Sequence, residues 1–190
     1  MNLRKTLFGA IAALAAVCLT ASCNKDDDTW DNYKEWRETN DAFYDSQSVL
    51  KNTDGTPFYT KLAPQWYPTS RVLIHYFNDR ALTAGNLTPL VTSTVSVKYR
   101  GWLCNDVAFD SSYTSTVFGD SIARFVPANT IAGWQIALTN MRVGDSVRVV
   151  IPWAEGYGAS TSNSTIPPFS TLMFDIKLVD IPALNIDGAS

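Results

Sequence analysis

The residues of this chain that could carry out chemistry are mostly apolar and aromatic. They follow in order as Val97-Lys-Tyr99, Phe109-Asp110, Ile131-Ala-Gly-Trp134, Tyr157-Gly158, Ile166-Pro-Pro and Phe174. The series contains one acid and no histidine or cysteine, which disfavours nucleophilic and metal chemistry. Residues of these types suit an apolar pocket whose effect depends on desolvation and shape. Rotation about a prolyl peptide bond is a reaction of that kind.

Four runs of strand-forming residues are predicted to position this series. They lie at residues 71–77, 94–100, 145–151 and 171–178. In the second and fourth runs apolar residues alternate with others, which is typical of strands with one buried face. The sequence therefore predicts an antiparallel sheet whose other face is exposed to solvent.

One convincing helix interrupts the strands, and it carries Trp134. Its apolar residues at helical spacing are Ile131, Trp134, Leu138 and Met141. Asn129 or Thr130 is predicted to cap its start, and Gly144 follows soon after its end. One helix packed on one sheet is an α+β arrangement of layers. We expect Trp134 and Leu138 to be buried against the concave face of the sheet.

Composition disfavours several classes of function. The 190 residues carry a formal net charge of -3 with Lys and Arg scattered, so there is no basic surface for nucleic acid. His75 is the only histidine, which gives little support to a Ser-His-Asp triad or a zinc cluster. We expect His75 to be structural and the protein to need no metal or cofactor. Cys104 is expected to be a small buried hydrophobe, and a reactive thiol is the alternative.

The start of the chain, residues 1–22, is similar to an export signal. Two basic residues precede an apolar stretch from Leu7 to Leu19. Cys23 follows directly and resembles the lipidated cysteine of bacterial lipoproteins; an ordinary secretory signal with an incidental cysteine is the alternative. We expect a protein of the cell envelope that is lipid-anchored to the outer membrane through Cys23, either in the periplasm or on the cell surface.

The segment after this signal is polar but carries five aromatic residues. They are Trp30, Tyr33, Trp36, Phe43 and Tyr44, and their spacing partly follows a helical stripe. We predict one amphipathic helix from Trp30 to about Leu50, followed by an extended connector that ends near Ser70. The stripe is expected to pack against the main domain or to cover a groove, and a homodimer face is the alternative.

The predicted main domain contains a series of motifs that resembles one known family. They read Val-Lys-Tyr-Arg-Gly, Phe-Asp-Ser-Ser, Ile-x-Gly-Trp, Val-Gly-Asp, Gly-Tyr-Gly-Ala, Ile-Pro-Pro and Leu-x-Phe-Asp-Ile. Each motif alone is weak, but the full series in order at compatible spacing is a strong signal. It is similar to the FKBP-type peptidyl-prolyl cis-trans isomerases, and it covers roughly residues 71 to 182. This resemblance implies an FKBP-like α+β fold with a curved antiparallel sheet of five or six strands wrapped on one short helix.

The resemblance also implies a proline pocket with a role for each residue. The predicted catalytic residues are Asp110, Ile131, Trp134, Tyr157 and Phe174, and the predicted substrate-binding residues are Tyr99, Phe109, Phe125, Thr130 and Ile166. Trp134 would be the floor of the pocket. The Tyr157 hydroxyl and the Ile131 backbone N–H would bond substrate carbonyls, and Asp110 would lie beside the rotating amide.

These patterns together predict a plan for the whole chain and its function. The plan is a signal peptide at 1–22, a lipidated acidic tether at 23–29, a helix and connector at 30–70, the isomerase domain at 71–182 and a tail at 183–190. The expected function is isomerisation of proline-containing polypeptide clients, which assists the folding of envelope or secreted proteins. A non-catalytic FKBP-like chaperone or peptide-binding module is the alternative, and an adhesin or surface-complex subunit is a third hypothesis.

One stretch departs from the family pattern. Between Tyr113 and Arg124 the length and composition differ from those usual in the family. The family often pairs its aspartate with an arginine, and Arg124 is the candidate for that arginine here. This departure is what motivates the non-catalytic alternative.

Overall fold

The computed structural model describes residues 25–115, 120–160 and 165–182. The predicted signal peptide, Cys23 and the predicted tail lie outside these ranges. Among the described residues, no helix combines the length and the apolar composition that crossing a membrane requires.

Within the described residues, seven strands form one sheet in which every pair is antiparallel. They are β1 (Thr60–Lys61), β2 (Leu73–Tyr76), β3 (Val95–Leu103), β4 (Ala108–Ser111), β5 (Ala123–Phe125), β6 (Ser146–Ile151) and β7 (Leu172–Asp180). Their order across the sheet is β1-β2-β6-β7-β3-β4, and β5 also pairs with β3. The predicted α+β class is confirmed. Six of the strands lie within residues 71–182, as expected, and the connector supplies the seventh, β1.

The helices lie at the N-terminus and over the sheet. The described residues contain α1 (Lys25–Asn32), α2 (Lys34–Ser48), α3 (Ser112–Ser115) and α4 (Ala132–Leu138), with 3-10 helices at Pro127–Asn129 and Trp153–Glu155. The N-terminal segment therefore forms two helices with a break at Tyr33, where one was predicted. Trp134 and Leu138 of α4 are buried in the same core as the inward residues of the sheet, as predicted.

The start of α4 differs from the prediction. Ile131 is the N-cap residue, its backbone is extended, and no side chain caps the helix. Thr130 is not available as a cap because its hydroxyl donates to the Pro127 carbonyl, at 2.7 Å, and so closes the preceding 3-10 turn. Met141, predicted for the same helical face, lies beyond the end of α4 but is buried.

The register of the two longest strands determines which residues face α4. β3 and β7 are neighbours, and Tyr99 pairs with Ile176 while Gly101 pairs with Phe174. Alternate residues of β7 are buried together, as predicted; they are Leu172, Phe174, Ile176 and Leu178. Residues paired across antiparallel strands share a face, so Tyr99 and Phe174 both point towards α4.

The opposite face of the sheet is less exposed than the alternation predicted. Leu73, Val150 and Met173 form a second buried cluster with Tyr44 of α2 and Tyr59 of the connector. These two segments therefore cover part of that face. The alternation of apolar and other residues along a strand distinguishes the two faces of that strand. It cannot show which distant segment of the chain packs on either face.

The two residues given structural interpretations, His75 and Cys104, lie in β2 and just after β3. His75 stacks on Phe58 with ring centroids 3.9 Å apart, and its Nδ1 lies 2.8 Å from the Phe58 carbonyl oxygen. This packing fits a structural role. Cys104 is half-buried in the turn after β3, where it was predicted to be buried in a strand. Burial raises the pKa of its thiol.

Candidate active site

A cavity of about 630 Å³ opens between α4 and the face of the sheet on which it packs. It is lined by all ten residues that the sequence assigned to a pocket, namely Tyr99, Phe109, Asp110, Phe125, Thr130, Ile131, Trp134, Tyr157, Ile166 and Phe174. Asn129 also lines it, although the sequence had suggested only a capping role for this residue. The residues come from β3, β4, β5, β7, α4, the 3-10 turn and cap residues just before α4, and the segment between β6 and β7. The fold therefore assembles them from across the domain.

The rings that line the cavity pack edge to face around Trp134. This cavity cluster consists of Tyr99, Phe109, Phe125, Trp134 and Phe174. The Trp134 centroid lies 5.2 Å from those of Tyr99 and Phe174 and 5.4 Å from that of Phe125. Edge-to-face pairs at such distances are favourable beyond their buried area. The Trp134 side chain is only 4% exposed, so its ring is held as a rigid floor.

Gly101 makes room for two of these rings. A Cβ atom at this position would lie 2.7 Å from Phe109 and from Phe174 ring atoms, which is closer than real contacts allow. The absence of a side chain lets the two rings meet with centroids 5.4 Å apart. The sequence analysis missed this role, although the glycine stands directly after Tyr99-Arg in the first motif.

Asp110 is fixed at the cavity by a tyrosine. The Tyr99 hydroxyl donates to its Oδ2 at 2.7 Å, and the Ser111 backbone N–H donates to its Oδ1 at 2.8 Å. Burial raises the pKa of the Tyr99 phenol, and the hydrogen bond to Asp110 raises it further. Tyr99 is therefore a neutral hydrogen-bond donor at ordinary pH, and it directs the carboxylate.

Arg124 does not occupy the position expected for a partner of Asp110. It is the exposed middle residue of β5, between Ala123 and the cavity residue Phe125. Because alternate strand residues face opposite sides, Arg124 points away from the cavity. The tyrosine thus provides the contact to Asp110 that an arginine was expected to make.

Two hydrogen-bond donors at the cavity are not used by the fold. Among the described residues, neither the Ile131 backbone N–H nor the Tyr157 hydroxyl has a hydrogen-bond partner. Tyr157 is 39% exposed at the rim. On the next residue, Gly158, φ is +64°, a conformation that favours glycine. The cavity can therefore offer two donors to carbonyl groups of a bound peptide.

Sequence comparison identifies the family of this domain. A family model described as FKBP-type peptidyl-prolyl cis-trans isomerase matches residues 85–179, which is half of the chain. The protein belongs to this family. The match includes every cavity residue named above.

Several curated relatives share the domain. The macrophage infectivity potentiator of Trypanosoma cruzi is 35% identical over 105 residues, which cover 55% of this chain and 52% of the relative. The FKBP-type 22 kDa peptidyl-prolyl cis-trans isomerase of Escherichia coli is 40% identical over 93 residues, covering 49% and 43% respectively. The chain thus spans about half or less of the length of these relatives.

Solved structures show the same fold. A peptidyl-prolyl cis-trans isomerase from Pseudomonas syringae pv. tomato matches with a TM-score of 0.62 at 26% identity, covering 78% of this chain and 95% of that one. FkpA from Escherichia coli matches with a TM-score of 0.52 at 28% identity, covering 82% and 60%. Both neighbours are peptidyl-prolyl cis-trans isomerases, and FkpA is named as an FKBP-type one. The fold that the motifs predicted is therefore confirmed.

Proposed function

We propose that this protein is a peptidyl-prolyl cis-trans isomerase that acts on proline-containing polypeptides. The observation that carries the proposal is the convergence of the cavity cluster, Asp110 and two free donors on one open cavity. Family membership supports the same activity. Rotation about the prolyl bond requires no covalent intermediate and no cofactor.

The chemical step suits a site of this kind. Rotation about a prolyl bond meets a barrier of about 20 kcal/mol because it breaks amide resonance, and unassisted it takes tens of seconds or more. The twisted amide is less dipolar than the planar one. An apolar cavity that excludes water therefore stabilises the transition state more than the ground state, which is what catalysis requires. A rate gain of about 10⁴ needs only about 5.5 kcal/mol.

Each part of the site has a place in this mechanism. The proline ring would rest on Trp134, between the walls formed by Tyr99 and Phe174. The Ile131 N–H and the Tyr157 hydroxyl would donate to carbonyls on either side of the rotating bond and hold the peptide in the twisted conformation. These hydrogen bonds would strengthen catalysis only if they fit the twisted form better than the planar form.

Asp110 would act through its position beside the rotating amide. Its carboxylate is exposed at the cavity edge, and the Tyr99 hydroxyl holds it in one orientation. A fixed negative charge there can interact with the partly positive carbonyl carbon of the prolyl amide while this amide rotates. Oriented charges of this kind need little reorganisation during the reaction.

We further propose that the protein works in the cell envelope and assists the folding of envelope or secreted proteins. The export-like residues 1–22 and the position of Cys23 support anchoring by a lipid on that cysteine. The homodimer considered for the N-terminal aromatic stripe stays a prediction. Sedimentation of the purified protein tests it, and a monomer at all concentrations contradicts it.

The activity is tested by mixing the purified full chain with a proline-containing peptide and following cis-trans exchange by NMR. Faster exchange supports the proposal, and no acceleration contradicts it. Asp110→Val should lower the rate, and Arg124→Ala, whose side chain faces away from the cavity, is the matched control with little effect. A variant that loses isomerase activity but still suppresses aggregation of an unfolded client would favour the chaperone alternative.

A further inference from the structure

The wall of the cavity between β6 and β7 is attached to the N-terminal helices. Its described parts are residues 152–160 and 165–171, and they carry Tyr157 and Ile166 into the cavity. We propose that α1 and α2 are a support that positions this wall for catalysis, with Trp30, Asn40 and Asp41 as positioning residues. The inference rests on the proposed isomerase activity and gives a positioning role to a segment outside the family match.

Aromatic packing forms the first attachment. This support cluster consists of Trp30, Arg37, Trp153 and Phe169. The Trp30 ring meets Phe169 edge to face at 5.3 Å between centroids, and Trp153 meets Phe169 in the same way at 5.3 Å. The Arg37 guanidinium lies 3.4 Å from the centroid of the Trp30 ring, and its NH1 donates to the Trp30 carbonyl. The cation thus holds Trp30 in place against the wall.

Directional hydrogen bonds form the second attachment, and they reach both ends of the wall. At its start, the Trp153 indole N–H donates to Asp41 Oδ1 at 3.0 Å. At its end, the Thr171 backbone N–H donates to Asn40 Oδ1 at 2.7 Å. The Trp36 indole N–H donates to the Ser170 hydroxyl at 3.0 Å. A segment that only covered an apolar surface would not need matched partners at both ends.

The backbone of Phe169 links the support to the cavity. Its φ is +59°, a conformation that non-glycine residues rarely adopt and keep only where the surroundings enforce it. The ring is 2% exposed between Trp30 and Trp153. The Phe169 backbone N–H donates to the Gly158 carbonyl at 2.8 Å, and Gly158 directly follows Tyr157. Contacts therefore run from Trp30 through Phe169 to the residue beside the rim tyrosine.

The polar centre of the support is fully buried. Asn40 has no exposed surface, and its Nδ2 donates to the Trp36 carbonyl at 2.7 Å while its Oδ1 accepts from Thr171. The Asn40 carbonyl also accepts from the Thr171 hydroxyl at 3.2 Å. Loss of one partner in such an arrangement leaves a buried polar group unpaired, so the arrangement specifies one position of the wall.

The inference is tested in the full chain with Trp30→Ala. Trp30 is 46% exposed, so its removal should leave the domain folded. We expect amide hydrogen exchange at Phe169 and Gly158 to become at least about tenfold faster, since local opening is governed by local contacts. We expect kcat/KM on a proline peptide to fall by about fivefold, because small displacements of positioned groups slow catalysis.

Matched variants separate positioning from a general loss of packing. Trp30→Phe keeps a ring on Phe169 and should restore most of the activity and slow exchange. Trp66→Ala removes another exposed tryptophan, whose ring stacks on Tyr67 in the connector, and should change neither measurement. As a second pair, Asp41→Ala should behave like Trp30→Ala, while Asp41→Asn keeps the acceptor for Trp153. Glu38→Ala, at an exposed position on the same helix, is its control.

The outcomes distinguish this inference from the proposed function. If the wild-type protein does not accelerate exchange of the peptide, the proposed function fails, and hydrogen exchange alone decides whether the helices hold the wall. If the wild type is active, unchanged activity in both Trp30→Ala and Asp41→Ala overturns the inference. Unchanged hydrogen exchange at Phe169 in both variants also overturns it.

Discussion

The molecule contains two groups of aromatic rings with similar geometry, one around an open space and the other around a space that a side chain fills. In the cavity cluster, edge-to-face contacts surround an open volume of about 630 Å³. In the support cluster, edge-to-face contacts at similar distances surround Phe169, which fills the centre, and the Arg37 guanidinium covers the outer ring. Ring chemistry and ring spacing therefore do not distinguish a binding site from a structural attachment.

The difference lies in what occupies the space between the rings. Protein interiors are normally close-packed, and an unfilled space forfeits dispersion contacts with the atoms that line it. The support cluster follows this rule, and its polar groups bond within the chain. The cavity cluster does not follow it, and two donors at its edge lack protein partners among the described residues. Open space beside unused donors is the feature that marks a ligand site.

The largest expected effect comes from making the same change in both clusters. Phe169→Ala empties the space that the buried ring fills between Trp30 and Trp153, and we expect it to lower the free energy of unfolding by about 4 kcal/mol. Phe174→Ala only enlarges an existing cavity, and we expect a smaller loss of about 3 kcal/mol. The isomerase activity should show the opposite order, with the greater loss in Phe174→Ala.

Urea unfolding and peptide exchange measured on the same samples check both orders. A loss of stability in Phe174→Ala that exceeds that in Phe169→Ala would mean that the cavity cluster is the better packed of the two. A greater loss of activity in Phe169→Ala would contradict the assignment of the cavity as the reaction site.

A second change tests whether the open volume is needed. Gly101→Ala introduces a Cβ that would lie 2.7 Å from the Phe109 and Phe174 rings, so these cavity walls must shift from their positions. We expect a loss of about 2 kcal/mol in unfolding free energy from overpacking, and a loss of about tenfold in kcat/KM. Gly85→Ala is the matched control, because no atom lies within 4 Å of a Cβ built there.

Equal activity in the two glycine variants would show that the rings can shift without effect on the reaction. Chemical shifts of the Phe109 and Phe174 ring protons provide an independent check that the rings move in Gly101→Ala and stay in place in Gly85→Ala.

The two clusters also differ in how well the sequence predicted them. The alternation in β3 and β7 and the helical spacing around Trp134 predicted the layers of the fold, and the order of the motifs predicted the residues that line the cavity. These signals are local, or they come from a family whose members keep the same order. The predicted cap of α4 was wrong because the Thr130 hydroxyl donates within the preceding 3-10 turn. The types of the neighbouring residues do not determine which of these two bonds the hydroxyl makes.

The sequence predicted that the aromatic stripe packs on the main domain or covers a groove, but it did not predict the partners in the support cluster, and the reason is physical. Trp30 and Phe169 are far apart in sequence, and an amphipathic helix has the same pattern whether it packs on its own domain or on a second copy. The strained φ of Phe169 gives no sequence signal, because phenylalanine is rare in that conformation. Only the partners at both ends of the wall identify where the stripe packs.

A buried acid beside the support cluster should make stability depend on pH. Burial raises the pKa of the Glu155 carboxyl, and the Arg71 N–H that donates to its Oε1 at 2.9 Å offsets only part of this rise. Its Oε2 has no hydrogen-bond partner among the described residues. The folded state therefore binds the proton of the Glu155 carboxyl more tightly than the unfolded state does. The contribution of this group to the free energy of unfolding is complete below its unfolded-state pKa and is lost as the pH rises through its folded-state pKa.

Glu155→Gln should remove this dependence. We expect the variant to gain about 1 kcal/mol in unfolding free energy at pH 8, because a neutral amide is less costly to bury than a carboxylate. At a pH well below the ordinary glutamate pKa, the variant and the wild type should be similar. Urea unfolding of both proteins from acidic pH to pH 8 checks the prediction. A constant difference in unfolding free energy between variant and wild type at every pH would contradict it.

The smallest expected effect on stability is that of Tyr157→Phe at the rim of the cavity. The hydroxyl has no partner among the described residues and the side chain is 39% exposed, so the unfolding free energy should change by less than about 0.5 kcal/mol. The activity should nevertheless fall by about threefold to tenfold, since one hydrogen bond contributes about 1 kcal/mol. Tyr113→Phe, at another exposed tyrosine, is the control for both measurements. Tyr157 belongs to neither the cavity cluster nor the support cluster. A loss of stability without a loss of activity would therefore show that its hydroxyl serves the fold. The presence of unused donors would then no longer distinguish the cavity from the support cluster.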